Sequence, residues 1–228
     1  MIKAIVFDLD DTLYPEHKFV LSGFQAVNEW VSHYYNTPGF FELAKRFFEE
    51  GHRGNIFNLT LDSLGIKYDF NVIQKLLQVY REHKPSISLH EDVKWAIYYF
   101  RQSKQLGIIT DGYFTTQKNK VVSLGIEEYF DVIVYSDQYG KECWKPSPFP
   151  YLKIMEELGR QGNECMYVGD NPCKDFVTAK VLGWSTVQIC RERGEYYSIT
   201  VTKSYEADFR IPDLYYLKEI IKASSFCG

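Results

Sequence analysis

Long apolar runs are missing from this 228-residue chain. None approaches the roughly eighteen residues that a bilayer-spanning helix needs, so no membrane span is expected. Excess positive charge is missing too. The net charge is -4, which gives no basic field for nucleic acid or an anionic membrane, a local patch aside. Paired cysteines are absent: Cys143, Cys165, Cys173, Cys190 and Cys227 form no CxxC pair and no even framework. They read as free thiols in a reducing compartment. The chain shows no internal repeat and no low-complexity segment. Met1 leads straight into an apolar stretch and leaves no room for a signal peptide, so a cytoplasmic location is expected. What is present is ample core material: 45% hydrophobic residues, with 18 Tyr and 16 Phe. The length suits one large domain or a domain with an insert.

The rest of the chain is organised around Ile5-Val6-Phe7-Asp8-Leu9-Asp10-Asp11-Thr12-Leu13. Ala4 to Phe7 reads as a buried strand. Residues two apart in a strand point to one side, so a strand that persists would put Asp8 and Asp10 together and Asp11 elsewhere. Like charges so close need a cation or a proton. A hard divalent ion with oxygen ligands, such as magnesium, answers that need. An acidic turn that ends the strand, with Thr12 or Asp11 capping a helix, is the plainer reading.

After Tyr14-Pro15 come four helical patterns: Phe19 to Tyr35, Phe40 to Glu50, Ile56 to Leu64 and Asn71 to His83. Leu21, Phe24, Val27 and Val31 recur at amphipathic spacing. The breaks fall at Thr37-Pro38-Gly39, Gly51-His52-Arg53-Gly54 and Gly65. This predicts a helical bundle inserted between two strands of another domain, with linkers near Pro15 and Pro85. The expected domains are 1–14 with 89–228, and 15–88.

From His90 strands and helices alternate. Strands are expected at Gly107–Thr110, Val132–Tyr135, Cys165–Val168, Thr186–Cys190 and Asp208–Arg210. Helices are expected around Val93–Phe100 and over Thr116–Leu124, Ser147–Leu158, Asp175–Leu182 and Leu214–Ile221. The alternation predicts an α/β fold with a parallel sheet covered on both faces. Sites in such sheets lie at the carboxyl ends of strands.

Polar motifs fall at those ends. Thr110-Asp111-Gly112 offers a hydroxyl and turn-exposed N–H groups able to hold a phosphoryl oxygen; an ordinary turn with Thr110 capping is the alternative. Lys145-Pro146-Ser147-Pro148 opens a helix, where a cation opposes the dipole and calls for an anionic partner. A solvated surface lysine is the alternative. Gly169-Asp170-Asn171-Pro172-Cys173-Lys174-Asp175 follows another apolar strand, and Asp175 could equally cap the next helix.

Taken together and in order, Asp8-x-Asp10-x-Thr12, Thr110, Lys145 and Gly169-Asp170 with Asp175 resemble the four motifs of the haloacid dehalogenase-like hydrolases, a superfamily made mostly of phosphatases. The resemblance covers the core; the insert matches only in type. It implies a Rossmann-like core with an inserted α-helical cap domain. It also implies a Mg²⁺-dependent phosphatase of a small phosphate monoester, such as a sugar phosphate, an acylneuraminate phosphate or a nucleoside monophosphate. Asp8 would be the nucleophile that carries an aspartyl phosphate, and Asp10 the general acid and base. Thr110, Lys145 and the N–H groups around Asp10, Asp111 and Gly112 would hold the phosphate. Mg²⁺ would be bound by the Asp8 carboxylate, the Asp10 main-chain carbonyl, Asp170 and waters. Asp175 would orient ligands or contact Lys145. The residue after the second aspartate is often glycine in this family; here it is Asp11.

Within the superfamily, Asp10 argues against a dehalogenase, since displacing halide needs no acid. Absent spans argue against an ion pump, and neither Lys18 nor Lys45 sits in a phosphonatase-like setting. A phosphomutase uses the same aspartates and remains open, as does a non-catalytic binding protein on this fold. About a hundred residues separate Asp8 from Thr110 and about thirty-five separate Thr110 from Lys145. The insert therefore follows the first strand, which favours a small soluble ester over a phosphoprotein. Arg53, with His52, is the expected substrate contact in the insert, and His17 an entrance residue. A solvated turn and a surface histidine are the alternatives. The insert's aromatics are expected to be its core. No nucleic-acid or membrane partner is expected, and the sequence is compatible with a monomer or weak dimer.

Overall fold

The run Ala-Ile-Val-Phe is buried along its whole length and forms β1 (Ala4–Phe7) in the computed structural model, which describes residues 1–192 and 194–224. Four helices follow: α1 (Glu16–Tyr35), α2 (Phe40–Glu49), α3 (Ile56–Ser63) and α4 (Phe70–Glu82). The chain continues through α5 (Glu91–Phe100), β2 (Gln105–Thr110), α6 (Phe114–Leu124), β3 (Val132–Tyr135), α7 (Phe149–Leu158) and β4 (Cys165–Gly169). It closes with α8 (Val177–Val181), β5 (Ser185–Ile189), β6 (Phe209–Ile211) and α9 (Leu217–Ser224). Two compact units result: Met1–Pro15 with the described residues of Ser88–Gly228, and Glu16–Ile87.

The first unit is an α/β fold. Its six strands are all parallel, in the order β3-β2-β1-β4-β5-β6. Strands covered on both faces need no polar alternation, which is why β1 and β4 are buried at every position. Ala4 and Val6 share one face with Ile109, Val134 and Tyr167, and there meet Tyr151, Ile154 and Leu158 of α7 and Ala179 of α8. Ile5 and Phe7 point the other way by the two-residue period, and Phe7 meets Phe130 edge to face. The strand order reverses between β1 and β4. In open parallel sheets the crevice outside the carboxyl ends of such a pair is where ligands bind.

A partly buried ion pair fixes the strand ends that carry the site. Arg191, just past β5, donates through Nη1 to both Asp92 oxygens at 3.1 and 2.9 Å, and through Nη2 to the Thr12 carbonyl at 3.0 Å. Asp92 also accepts the Leu214 N–H at 2.8 Å. The end of β5, the start of α5 and the turn after β1 are thereby tied together.

The second unit is four helices around a core of Phe24, Val27, Val31, Phe40, Ala44, Phe57, Leu61 and Leu76. Many of its aromatics are core, as expected from their spacing: Phe24 and Phe57 meet edge to face at 6.2 Å, and Tyr80 packs on both, whereas Tyr34 and Phe70 are exposed. Helix α1 lies on α2 and α4, with Gly23 facing the Tyr80 ring so closely that a Cβ would stand 2.4 Å from it.

Three local expectations are corrected. The first strand stops at Phe7 and does not reach Asp10, which instead bridges to Tyr14 in a tight turn. Asp11 there has φ 49, a left-handed conformation that glycine adopts freely and aspartate tolerates. This accounts for the frequent glycine at that position in the resembled family. Helix α7 begins at Phe149 rather than Ser147 because Pro146 and Pro148 hold a turn before it, with a cis bond at Lys145-Pro146. Helix α8 starts at Val177 rather than Asp175, since the Asp175 side chain accepts the Asn171 N–H at 3.0 Å and closes a loop.

Of the cysteines, Cys143, Cys165, Cys173 and Cys190 are free thiols; Cys227 lies outside the described residues. Among those residues, no helix is long and apolar enough to cross a membrane.

Candidate active site

Four strand ends deliver the polar motifs to one edge of the sheet. Asp8 follows β1, and its N–H continues the ladder to the Val168 carbonyl of β4 at 2.8 Å. That bond sets Asp8 beside Gly169-Asp170, at the reversal point of the sheet. In β2, Ile108 pairs with Phe7, so Thr110 stands two residues farther out. Lys145 arrives after β3 through two single 3-10 turns, Ser136–Tyr139 and Lys141–Cys143.

Lys145 has the anionic partners its position calls for. Its Nζ contacts Asp8 Oδ1, and lies 2.9 Å from Asp175 Oδ1 and 2.7 Å from the Tyr167 hydroxyl. Lys145 and Asp175 are fully buried as side chains. Burial disfavours the ammonium, but Asp175 and Asp8 outweigh it and hold the lysine well above its usual range. Tyr167 was not expected. Its signal is a tyrosine inside an otherwise apolar buried strand, since a buried phenol needs a hydrogen-bond partner.

The nucleophile candidate is strained electrostatically. Burial pushes Asp8 up to about 7; Lys145 opposes this and Asp175 adds to it. Asp170 stands well above the usual carboxylate range, first through burial and then through the charge of Asp8. Two buried carboxylates with this excess of negative charge suit a divalent cation. Among the described residues, no three His, Cys, Asp or Glu side chains gather as a cation site. The set implied by the sequence differs in kind. It would use two carboxylates, Asp8 and Asp170, with a main-chain carbonyl and waters, as the family resemblance implies, which suits magnesium's reluctance to lose its water. The residues present fit the ion.

Asp10 has its own set of partners, distinct from those of Asp8. Its carboxylate accepts from Lys120 Nζ at 2.7 Å, Gln117 Nε2 at 2.9 Å and the Tyr14 hydroxyl. Burial would raise its pKa, but the Lys120 charge and these hydrogen bonds lower it below the ordinary value. Gln117 also donates to Thr110 Oγ1. Sequence reasoning missed Gln117 and Lys120. Their signal was a helix whose buried face is polar, with Thr116, Gln117 and Lys120 inside.

Asp111 ties the loops together. Its carboxylate accepts from Ser136 Oγ at 2.6 Å, the Lys145 N–H at 3.1 Å and Lys174 Nζ at 2.9 Å. Burial alone would raise it; Lys145 and Lys174 prevail and hold it low. Gly112 has φ 113, a conformation that opens the turn for main-chain N–H groups.

Gly169 is required by close approach. A Cβ there would lie 2.4 Å from Asp175 Oδ2, and Asp175 is held by both Asn171 N–H and Lys145. Gly169→Ala is therefore expected to destabilise the fold by about 1–3 kcal/mol, read as a fall in Tm; an unchanged Tm would show that Asp175 shifts freely.

The second-unit candidates lie elsewhere in the chain. Arg53 donates to the Phe48 carbonyl at 3.0 Å and the His52 carbonyl at 2.8 Å, with its guanidinium over the Phe48 ring. It thus closes the end of α2. His52 is exposed beside Glu50 at 3.9 Å, and His17 sits in the first turn of α1, half-buried.

Comparison with known proteins agrees with the motif pattern. Residues 5–189 match the family described as "Haloacid dehalogenase-like hydrolase". A glyceraldehyde 3-phosphate phosphatase of Methanocaldococcus jannaschii is 30% identical over 97% of this chain and 98% of its own length. Pyrophosphatase PpaX of Halalkalibacterium halodurans is 27% identical over 93% and 95%. A solved HAD phosphatase from Thermococcus onnurineus superposes with a TM-score of 0.63 at 26% identity, covering 96% of this chain and 98% of that one. The chain belongs to the haloacid dehalogenase-like hydrolases.

Proposed function

We propose that this hydrolase is a Mg²⁺-dependent phosphatase of small-molecule phosphate monoesters that works through an aspartyl phosphate on Asp8. The observation that carries this reading is the arrangement at the β1–β4 edge. A buried carboxylate, Asp8, touches a buried lysine, and the buried Asp170 stands close enough for the charge of Asp8 to disfavour its own ionisation, a pairing that a bound cation would relieve. The names of the relatives support it: two different phosphate-releasing enzymes align over nearly the whole chain.

A phosphate monoester carries about -2 at neutral pH and repels a carboxylate nucleophile. Lys145 offsets part of that charge and orients the Asp8 oxygen that attacks phosphorus. Magnesium, held by Asp8, Asp170 and the Asp10 carbonyl, would supply further charge neutralisation. Thr110 and the turn N–H groups of Asp111 and Gly112 hold the phosphoryl oxygens. As the Asp8–phosphorus bond forms and the ester bond breaks, Asp10 gives its proton to the leaving oxygen. Water then attacks phosphorus, Asp10 takes the water's proton, and Asp8 is released. In the unliganded geometry Lys120 keeps Asp10 ionised, the form that serves as base. The approaching phosphate dianion opposes Lys120 and favours protonation, the form that serves as acid.

The inserted helical unit is proposed as the part that selects the leaving group, with Arg53, His52 and His17 as candidate contacts. The relatives' names add triose phosphates to the candidate monoesters, beside sugar phosphates, acylneuraminate phosphates and nucleoside monophosphates, and add pyrophosphate, an anhydride, as a substrate outside that class. Inside a cell the reading calls for no nucleic-acid or membrane partner.

The test is phosphate release from a panel of these compounds plus an aryl phosphate, with Mg²⁺ and with chelator. Release that depends on Mg²⁺ is expected, with one substrate class well ahead. Equal release in chelator would overturn the metal assignment, and no release from any compound would overturn the phosphatase reading.

A further inference from the structure

A helix that packs on a sheet normally buries an apolar stripe. Helix α6 buries Thr116, Gln117 and Lys120 alongside a single apolar side chain, Val121; Gln117 and Lys120 lie one turn apart on the same face. A buried lysine is costly unless its charge is met. Lys120 meets it on Asp10 Oδ1, while Gln117 takes Asp10 Oδ2 and links to Thr110. With the Tyr14 hydroxyl also on Oδ1, both carboxylate oxygens are gripped from α6 and from the turn itself. A carboxylate bound at both oxygens from two directions has one orientation. Its turn is not a strand, so nothing in the sheet would otherwise set that orientation.

We propose that Lys120, assisted by Gln117, is a positioning residue that aims the Asp10 carboxylate for proton transfer to the leaving group and from water. The proposal rests on the phosphatase reading above. It has a consequence that a purely structural ion pair lacks. The first half-reaction needs the Asp10 proton only when the leaving oxygen is a poor leaving group. An alkyl phosphate requires it; p-nitrophenyl phosphate, whose phenolate leaves unaided, does not. Misaiming Asp10 therefore penalises the alkyl ester selectively.

The experiment measures kcat/KM for an alkyl phosphate and for p-nitrophenyl phosphate in wild type, Lys120→Met, Lys120→Arg and Gln117→Leu. General acid catalysis contributes about 10² to 10⁴, so the alkyl-to-aryl ratio is expected to fall by about 10²-fold in Lys120→Met. A smaller fall is expected in Gln117→Leu and partial recovery in Lys120→Arg. The ratio is independent of the folded fraction, so loss of stability in a variant cannot imitate the result. Proportional losses on both substrates in Lys120→Met and Gln117→Leu would overturn the proposal and leave a structural ion pair. Absence of phosphate release from wild type itself would overturn the phosphatase reading, and the proposal with it, which separates the two failures.

Discussion

Asp8→Asn is expected to remove turnover while the protein stays folded. The amide keeps the shape of Asp8 and still offers an oxygen to Lys145, but it has lost the negative charge that both carboxylate oxygens share. An amide is no nucleophile toward a phosphate ester, and it cannot accept the phosphoryl group. Loss of a nucleophile costs on the order of 10⁴- to 10⁶-fold in kcat, so phosphate release should drop to background. Stability should change little. Asp8 stands at about 7 through burial, so its charge is held against a desolvation cost that the neutral amide does not incur. A melting curve beside the activity assay checks both halves. Substantial residual turnover, or a variant that does not fold, would contradict the assignment.

Lys145→Met should damage both stability and rate. The lysine lies between Asp8 and Asp175, two buried carboxylates, and also meets the Tyr167 hydroxyl. Methionine fills much of the volume but leaves that negative charge unmatched. Removing one partner of a buried ion pair costs about 3–5 kcal/mol, which for a chain of this size is a Tm drop of roughly 6–20 °C. Loss of one group that stabilises transition-state charge costs about 10²- to 10³-fold in kcat. The two effects separate experimentally: turnover per folded molecule, measured well below the variant's Tm, should still be down by that factor. A variant with native Tm would contradict the buried-pair account. One with native kcat would remove Lys145 from the chemistry.

The sequence made some of this legible and hid the rest for physical reasons. Strands buried on both faces leave continuous apolar runs, so β1, β3 and β4 could be placed within a residue. Glycines in the left-handed conformation stop α6 at Gly125 and α7 at Gly159, and these ends were placed correctly. Asp8, Thr110 and Asp170 stand out because each follows or ends an apolar run at a strand end, and Lys145 because a cation ahead of a helix calls for an anionic partner. What was hidden is long-range pairing. Lys120 reaches Asp10 across 110 positions, and Lys174 reaches Asp111 across 63; local periodicity carries no trace of either partner. Strand alternation would pair Asp8 with Asp10 only in a strand that persists to Asp10, and β1 ends at Phe7.

The most direct test of the central claim is to look for the covalent intermediate. Asp10→Asn, which slows water attack by removing the base, is mixed with p-nitrophenyl phosphate and Mg²⁺, quenched in acid, digested and analysed by mass spectrometry. The account predicts one added phosphoryl group on the peptide containing Asp8, absent when Asp8 is also replaced. Phosphate release without any labelled Asp8 peptide, or a label on a different residue, would contradict it.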